Sequence, residues 1–148
     1  MTASVAGVTI YDMVTNYFAA SVKALLCDST YTFDKDAHAT RADVTGEVVG
    51  TGYALGGVEV TGVNVVLDTA NNVVKLVANE VDFGTLTITE VAQIVLYFDV
   101  DTSDPTADKL IGVHTFAPQA LSGENFTYAF YDDDSDPGTK GVIGSFGY

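Results

Sequence analysis

Gln93 to Val100 reads QIVLYFDV, and its apolar side chains run from Ile94 to Phe98 without the polar residue that a half-solvated strand places at every second position. A strand apolar on both faces belongs in the middle of a sheet, where both sides are covered. Its neighbours supply that sheet. SVKALLC, Ser21 to Cys27, reads as a strand, and Val73 to Ala78 puts Val74, Leu76 and Ala78 on one face. DTANN, Asp68 to Asn72, is a hairpin signal between that strand and the valine-rich run before it.

Within the run, Val58 and Val60 share one face, but beyond Gly62 the apolar phase moves to Val63, Val65 and Leu67. A β-bulge at Gly62 is the expected cause. Phe83 to Ile88 makes a further strand. Lys109 to Phe116 and Asn125 to Tyr131 are expected as two more, parted by a connection containing Pro118 and Gly123, and Val142 to Phe146 is the last. Ile10, Met13, Val14, Tyr17 and Phe18 recur at helical spacing over Thr9 to Ala20, and Asp34 to Asp43 has room for one or two helical turns. The expected architecture is a mainly-β sandwich or barrel-like single domain over residues 9–148, with one short N-terminal helix, behind an arm of residues 1–8.

The chain has 148 residues, 20 acids, 6 bases and a net charge of −14. That length fits one domain with a real core, burying about 70% of the surface of its unfolded chain. The charge repels phosphate backbones and anionic headgroups, so neither nucleic acid nor a membrane is an expected partner. Asp outnumbers Glu 15 to 5, and Asp favours turns because its short carboxylate bonds nearby backbone N–H groups. Cys27 stands alone, which rules out an internal disulfide and a cysteine zinc cluster and makes a buried thiol the expectation. The start, MTASVAGVTIYDM, lacks the basic region and apolar core of a signal peptide. No apolar run reaches the roughly 18 residues that cross a bilayer. A soluble protein made in a cytoplasm is expected.

Glu47 to Asp68, EVVGTGYALGGVEVTGVNVVLD, holds five glycines. It lacks the GK[ST] ending of a phosphate loop, the G-x-G-x-x-G spacing and a following helix, so the glycines are read as turns. DVDTSDPTADKL, Asp99 to Leu110, alternates oxygen donors as a calcium loop does. An EF-hand requires Gly at its sixth position and Glu at its twelfth, where Asp104 and Leu110 stand, and DDDSDPGTKGVI has Pro137 and Ile143 there. Other calcium geometries survive, but acidic tips at Asp101 to Asp108 and Asp132 to Asp136 that face solvent, or meet basic patches of a partner, without a metal, are the expectation.

His38 and His114 are the only histidines, and neither lies in a nucleophile elbow or another catalytic signature. His38 is expected in a local hydrogen-bond network and His114 as a packed or surface imidazole. Twenty acids make chance carboxylate pairs inevitable, so such pairs carry no specificity for glycoside hydrolysis. No catalytic, cofactor-binding or metal-binding residue is assigned, and the chain is expected not to be an enzyme.

Taken in order, the aliphatic strand, STYTFDKDAH, an acidic entry into EVVGTGYALGGVEVTG, a hairpin, the aromatic strand with its Asp-rich tip and KLIGVHTF resemble small structural proteins of tailed bacteriophages. The resemblance covers Ser21 to Phe116. It is closest at Tyr31, Asp34, Asp36 and His38, at Gly50, Gly52, Tyr53, Gly56 and Gly57, and at LYFDVDTSDP. Several relatives carry a Trp-Thr pair before the aromatic strand; this chain has none, and Phe83 or Leu86 is left to fill that space.

The resemblance implies a head decoration or cement protein on the outside of a phage capsid, assembled in the host cytoplasm. It implies the major capsid protein as partner, homo-oligomerisation on the lattice, and no catalytic residues to transfer. Two other readings stay open: a tail, neck or fibre-base protein, and a carbohydrate-binding module presenting an aromatic platform. Interface cores favour aromatic and apolar residues over acids, which points to Val8, Ile10 and Tyr11 in a capsid-facing arm and then to Tyr31, Phe33 and Tyr53.

Overall fold

The computed structural model describes Thr15, residues 20–130, the backbone of residues 141–147 and the Ile143 side chain. Seven strands follow in chain order: β1 Ser21–Cys27, β2 Val58–Glu59, β3 Asn64–Asp68, β4 Val73–Ala78, β5 Val81–Asp99, β6 Lys109–Tyr128 and β7 Gly141–Gly147. They form an antiparallel four-stranded sheet in the order β2-β1-β5-β6, and a hairpin sheet of β3 and β4 along which the β7 backbone pairs. The four-stranded sheet ends on β2 and β6 without closing into a barrel. The expected N-terminal helix and arm lie outside the described residues, except for Thr15 and Ala20. The one helical element with described bounds is a 3-10 turn at Arg41–Asp43.

QIVLYFDV is central, as its double-faced apolarity requires. β5 lies between β1 and β6, with Leu25 opposite Val95 and Ala24 opposite Leu96. Alternation then sorts the side chains. Val22, Ala24, Leu26, Ile94, Leu96 and Phe98 enter the main core with Val65, Val74, Leu76, Ala78 and Ile143 from the second sheet. Leu25, Cys27, Val95 and Tyr97 form a smaller cluster with Tyr31 on the opposite face.

Two sequence expectations are corrected in the long strands. Phe83 to Ile88 and Gln93 to Asp99 belong to one strand, and β6 runs unbroken through Pro118 and Gly123. Proline removes a ladder donor but is tolerated on an edge strand or at a bulge, and Pro118 has both. Val91 pairs with Gln119 and Gln93 with Thr115, so residues 116–118 of β6 bulge opposite Ala92 alone. The bulge bends the ribbon. Phe116 and Phe126 would stand about 33 Å apart on a straight strand, yet their ring centroids are 6.0 Å apart, and Phe116 also lies 5.7 Å from Tyr128. One half of the β5–β6 ribbon therefore folds over the other.

Gly62 is the third correction. It sits at φ +67° between β2 and β3, which belong to different sheets, so the phase slip marks a chain crossing between layers and not a bulge within one strand. The expected burial survives: Val65 is buried, while Val63 and Leu67 pack against the core. The DTANN hairpin also forms, with Asp68 opposite Val73 and Asn72 at φ 55°.

Candidate functional site

Segment 28–57, largely irregular, covers the outer face of β1 and β5 with Tyr31, Phe33 and Val44 and then runs along the β1 edge, where Val48 and Tyr53 join the main core. Backbone pairs tie this cover to the sheet, Val48 N to Leu26 O and reciprocal bonds between Thr51 and Thr87, while Asp28 N to Gly46 O closes the segment on itself. Gly50 and Gly57 permit the approach. A Cβ at Gly50 would lie 2.3 Å from Thr87 O, and one at Gly57, where φ is +74°, would lie 1.9 Å from Ala24 O. The room that a phosphate would require beside these glycines is occupied by the protein's own strands.

Polar side chains lock the cover. Glu47 Oε1 accepts hydrogen bonds from Tyr53 Oη at 2.9 Å and Gly56 N at 2.6 Å, and Tyr53 Oη accepts one from Leu26 N at 3.0 Å. Tyr97 Oη donates to Gly56 O at 2.6 Å. Burial pushes the Tyr97 phenol up to about 12, against the pull of Arg41. Burial, followed by the Glu47 charge, likewise raises Tyr53. Both phenols keep their protons at neutral pH and serve as fixed hydrogen-bonding groups.

The acidic tip after β5 divides into two kinds of carboxylate. Asp101 and Asp104 are exposed and fold back on their own turns, accepting from the backbone and hydroxyl of Ser103 and Thr106 respectively; those bonds hold their carboxyls below the usual range. Asp108 is 0% exposed, which corrects the expectation that the whole tip faces solvent. Its Oδ2 accepts from Arg41 Nε at 2.8 Å and its Oδ1 from the backbone N–H groups of Val100 and Asp101, so both oxygens have protein donors in place of water. The Arg41 guanidinium also lies over the Tyr97 ring, 5.3 Å from its centroid. The second acidic tip, Asp132 to Asp136, lies outside the described residues.

The nucleophile and base candidates are engaged in the fold. Cys27 is buried, and desolvation followed by the charges of Glu47 and Asp28 pushes its thiol up to about 12. A nucleophilic cysteine needs the opposite shift. His38 Nδ1 accepts from Asp34 N and meets Tyr31 Oη, both at 3.3 Å, forming the local network expected of it. His114 packs edge-on against Tyr128 and Phe130, and burial lowers its pKa despite a hydrogen bond with the Ile143 backbone. Among the described residues, no group of three His, Cys, Asp or Glu side chains could hold a metal ion.

Of the residues expected at an interface, Val8, Ile10 and Tyr11 lie outside the described residues. Tyr31 is 3% exposed and belongs to the outer-face cluster, so its ring serves the interior. Tyr53 is half-buried with its hydroxyl turned inward, while Phe33 is half-buried against the same cluster as Tyr31. The cover presents two other apolar side chains to solvent, Val49 and Leu55, 79% and 71% exposed. Sequence reasoning missed them because it read the glycine-rich run as turns and assigned no role to the apolar side chains between them. It also missed the Arg41–Asp108 pair and the buried amide of Gln93, which donates to Asp28 O and Tyr31 O. Compared with protein-family models, with curated proteins and with solved structures, the chain matches none.

Proposed function

We propose that this chain is a non-enzymatic structural protein of a tailed-phage virion, a decoration or cement protein that binds the major capsid protein on the outer surface of the head. The observation that carries the reading is how the residues of the phage resemblance are used. Gly50 and Gly57 admit close backbone approach, Tyr53 and Tyr97 anchor the cover, Tyr31 packs beneath it, and His38 ties its own loop. A pattern spent on internal geometry specifies a scaffold. The exposed apolar side chains Val49 and Leu55 on that scaffold suit contact with another protein.

On a shell that presents the same site many times, a homo-oligomer gains effective affinity because each further contact is intramolecular. A net charge of −14 keeps the decorated particle apart from its neighbours. Side-chain-resolution imaging of intact virions, with copy number measured on the same particles, tests the proposal. Density for this chain repeated over the head lattice is the expected result. Its confinement to a tail, neck or fibre base would replace the decoration reading with that of a tail fitting, and glycan affinity through an exposed aromatic platform would move it to a carbohydrate-binding module.

A further inference from the structure

Gln93 is 6% exposed, and only half of its amide is used. Nε2 donates to Asp28 O at 2.9 Å and Tyr31 O at 2.7 Å, and two carbonyl acceptors fix which end of the amide is nitrogen. Oε1 has no donor partner among the described residues. The one unpaired side-chain polar atom sealed from solvent among them is Asp99 Oδ1, so Gln93 Oε1 retains solvent contact. Gln93 is one of the residues that line a shallow groove of about 370 Å³ beside the β6 bulge.

Gln93, Ala92 and Tyr31 are the buried residues of the groove, and Phe33, Phe116 and Pro118 line it with apolar surface. Its volume lies near the small end of ligand sites. None of its nine lining residues is charged, in a chain of net charge −14. A charged side chain would find no counter-ion here, and a purely aliphatic one would leave the acceptor unpaired. A flat ring with a single donor satisfies both constraints.

We propose that this groove is a socket for a tyrosine or tryptophan side chain of a protein partner, whose phenol O–H or indole N–H is donated to Gln93 Oε1 while its ring packs against Phe33, Phe116 and Pro118. The proposal deepens the binding reading above and rests on it for the partner being a protein. The socket itself is tested without virions, so its failure and the failure of the capsid assignment are separate results.

The test is titration of the isotope-labelled full chain with p-cresol and with toluene, two probes that differ by one hydroxyl, followed by amide NMR. The expected result is saturable shifts at the Gln93 side-chain amide and at the Phe33 and Phe116 backbone amides, with p-cresol binding roughly two- to tenfold more tightly, the worth of one hydrogen bond. Replacing Gln93 would also remove two bonds that hold the cover, so the control is Thr115→Trp on the exposed rim. That variant should retain the spectrum of the remaining fold and lose the p-cresol shifts. Equal affinity for the two probes, shifts centred elsewhere, or p-cresol binding that survives Thr115→Trp would overturn the socket.

Discussion

On one face of β1 and β5, Val22, Ala24, Leu26, Ile94, Leu96 and Phe98 meet aliphatic side chains of a second sheet; on the other, Leu25, Cys27, Val95 and Tyr97 meet an irregular segment. The first contact is non-directional, and its stabilisation follows the apolar area removed from water. The second cannot rely on area, because segment 28–57 forms no extensive sheet of its own. It is held at points: Gln93 against Asp28 O and Tyr31 O, Tyr97 against Gly56 O, and Arg41 against Asp108. Regular layers can be assembled from patterned hydrophobes, whereas a loop cover requires individual polar bonds, each with defined geometry.

The sharpest way to break that contrast is to empty one position on the aliphatic face. Leu96 is 0% exposed, and Leu96→Ala should cost about 4 kcal/mol in denaturant unfolding, with the slope unchanged because the fold is retained. A loss below about 1 kcal/mol would mean that this face collapses around the vacancy and is not the main support.

On the covered face, Asp108→Ala leaves Arg41 without its carboxylate and two backbone donors unpaired, for an expected loss of about 3 kcal/mol. Its signature is local: hydrogen-exchange protection should fall further at Val100 and Asp101 than in β4. Replacing the pair together, as Arg41→Met with Asp108→Leu, should recover part of that loss, because no uncompensated charge remains. Uniform loss of protection through β4 would show that the cover is not separately anchored.

The same contrast explains what was legible in the sequence. β1 and the centrality of β5 follow from side-chain patterning, since apolar residues on both strand faces require cover on both sides. Strand limits did not follow. Pro118 and Gly123 are local breakers, yet pairing with β5 carries β6 through them, and bulges absorb the mismatch. Asp108 was illegible for a different reason. In DPTADK it resembles its exposed neighbours, and its burial is decided by Arg41, 67 residues away in sequence. Gln93 was hidden similarly, as the first residue of an apolar run whose amide partners, Asp28 and Tyr31, lie more than 60 residues earlier.

Asp68 sets the lower end of the comparison, because it is the same residue type as Asp108 in a local, half-buried setting. It accepts from Ala70 N, Asn71 N and Asn71 Nδ2, and pairs with Lys75 on the adjacent strand at 3.1 Å. Those bonds, first of all the Asn71 side chain, lower its carboxyl from 3.8 to about 2. A carboxyl depressed in the folded state is stabilising above its unfolded pKa, and that contribution disappears as pH falls through the folded value. The stability difference between the parent and Asp68→Ala should therefore be constant above about pH 5 and decline from there to below about pH 2. It should also be smaller than the Asp108→Ala effect, because the turn can exchange its bonds for water. Denaturant unfolding of both proteins at matched pH measures it. A difference that stays constant down to pH 2 would show that Asp68 acts by shaping the hairpin backbone and not by its charge.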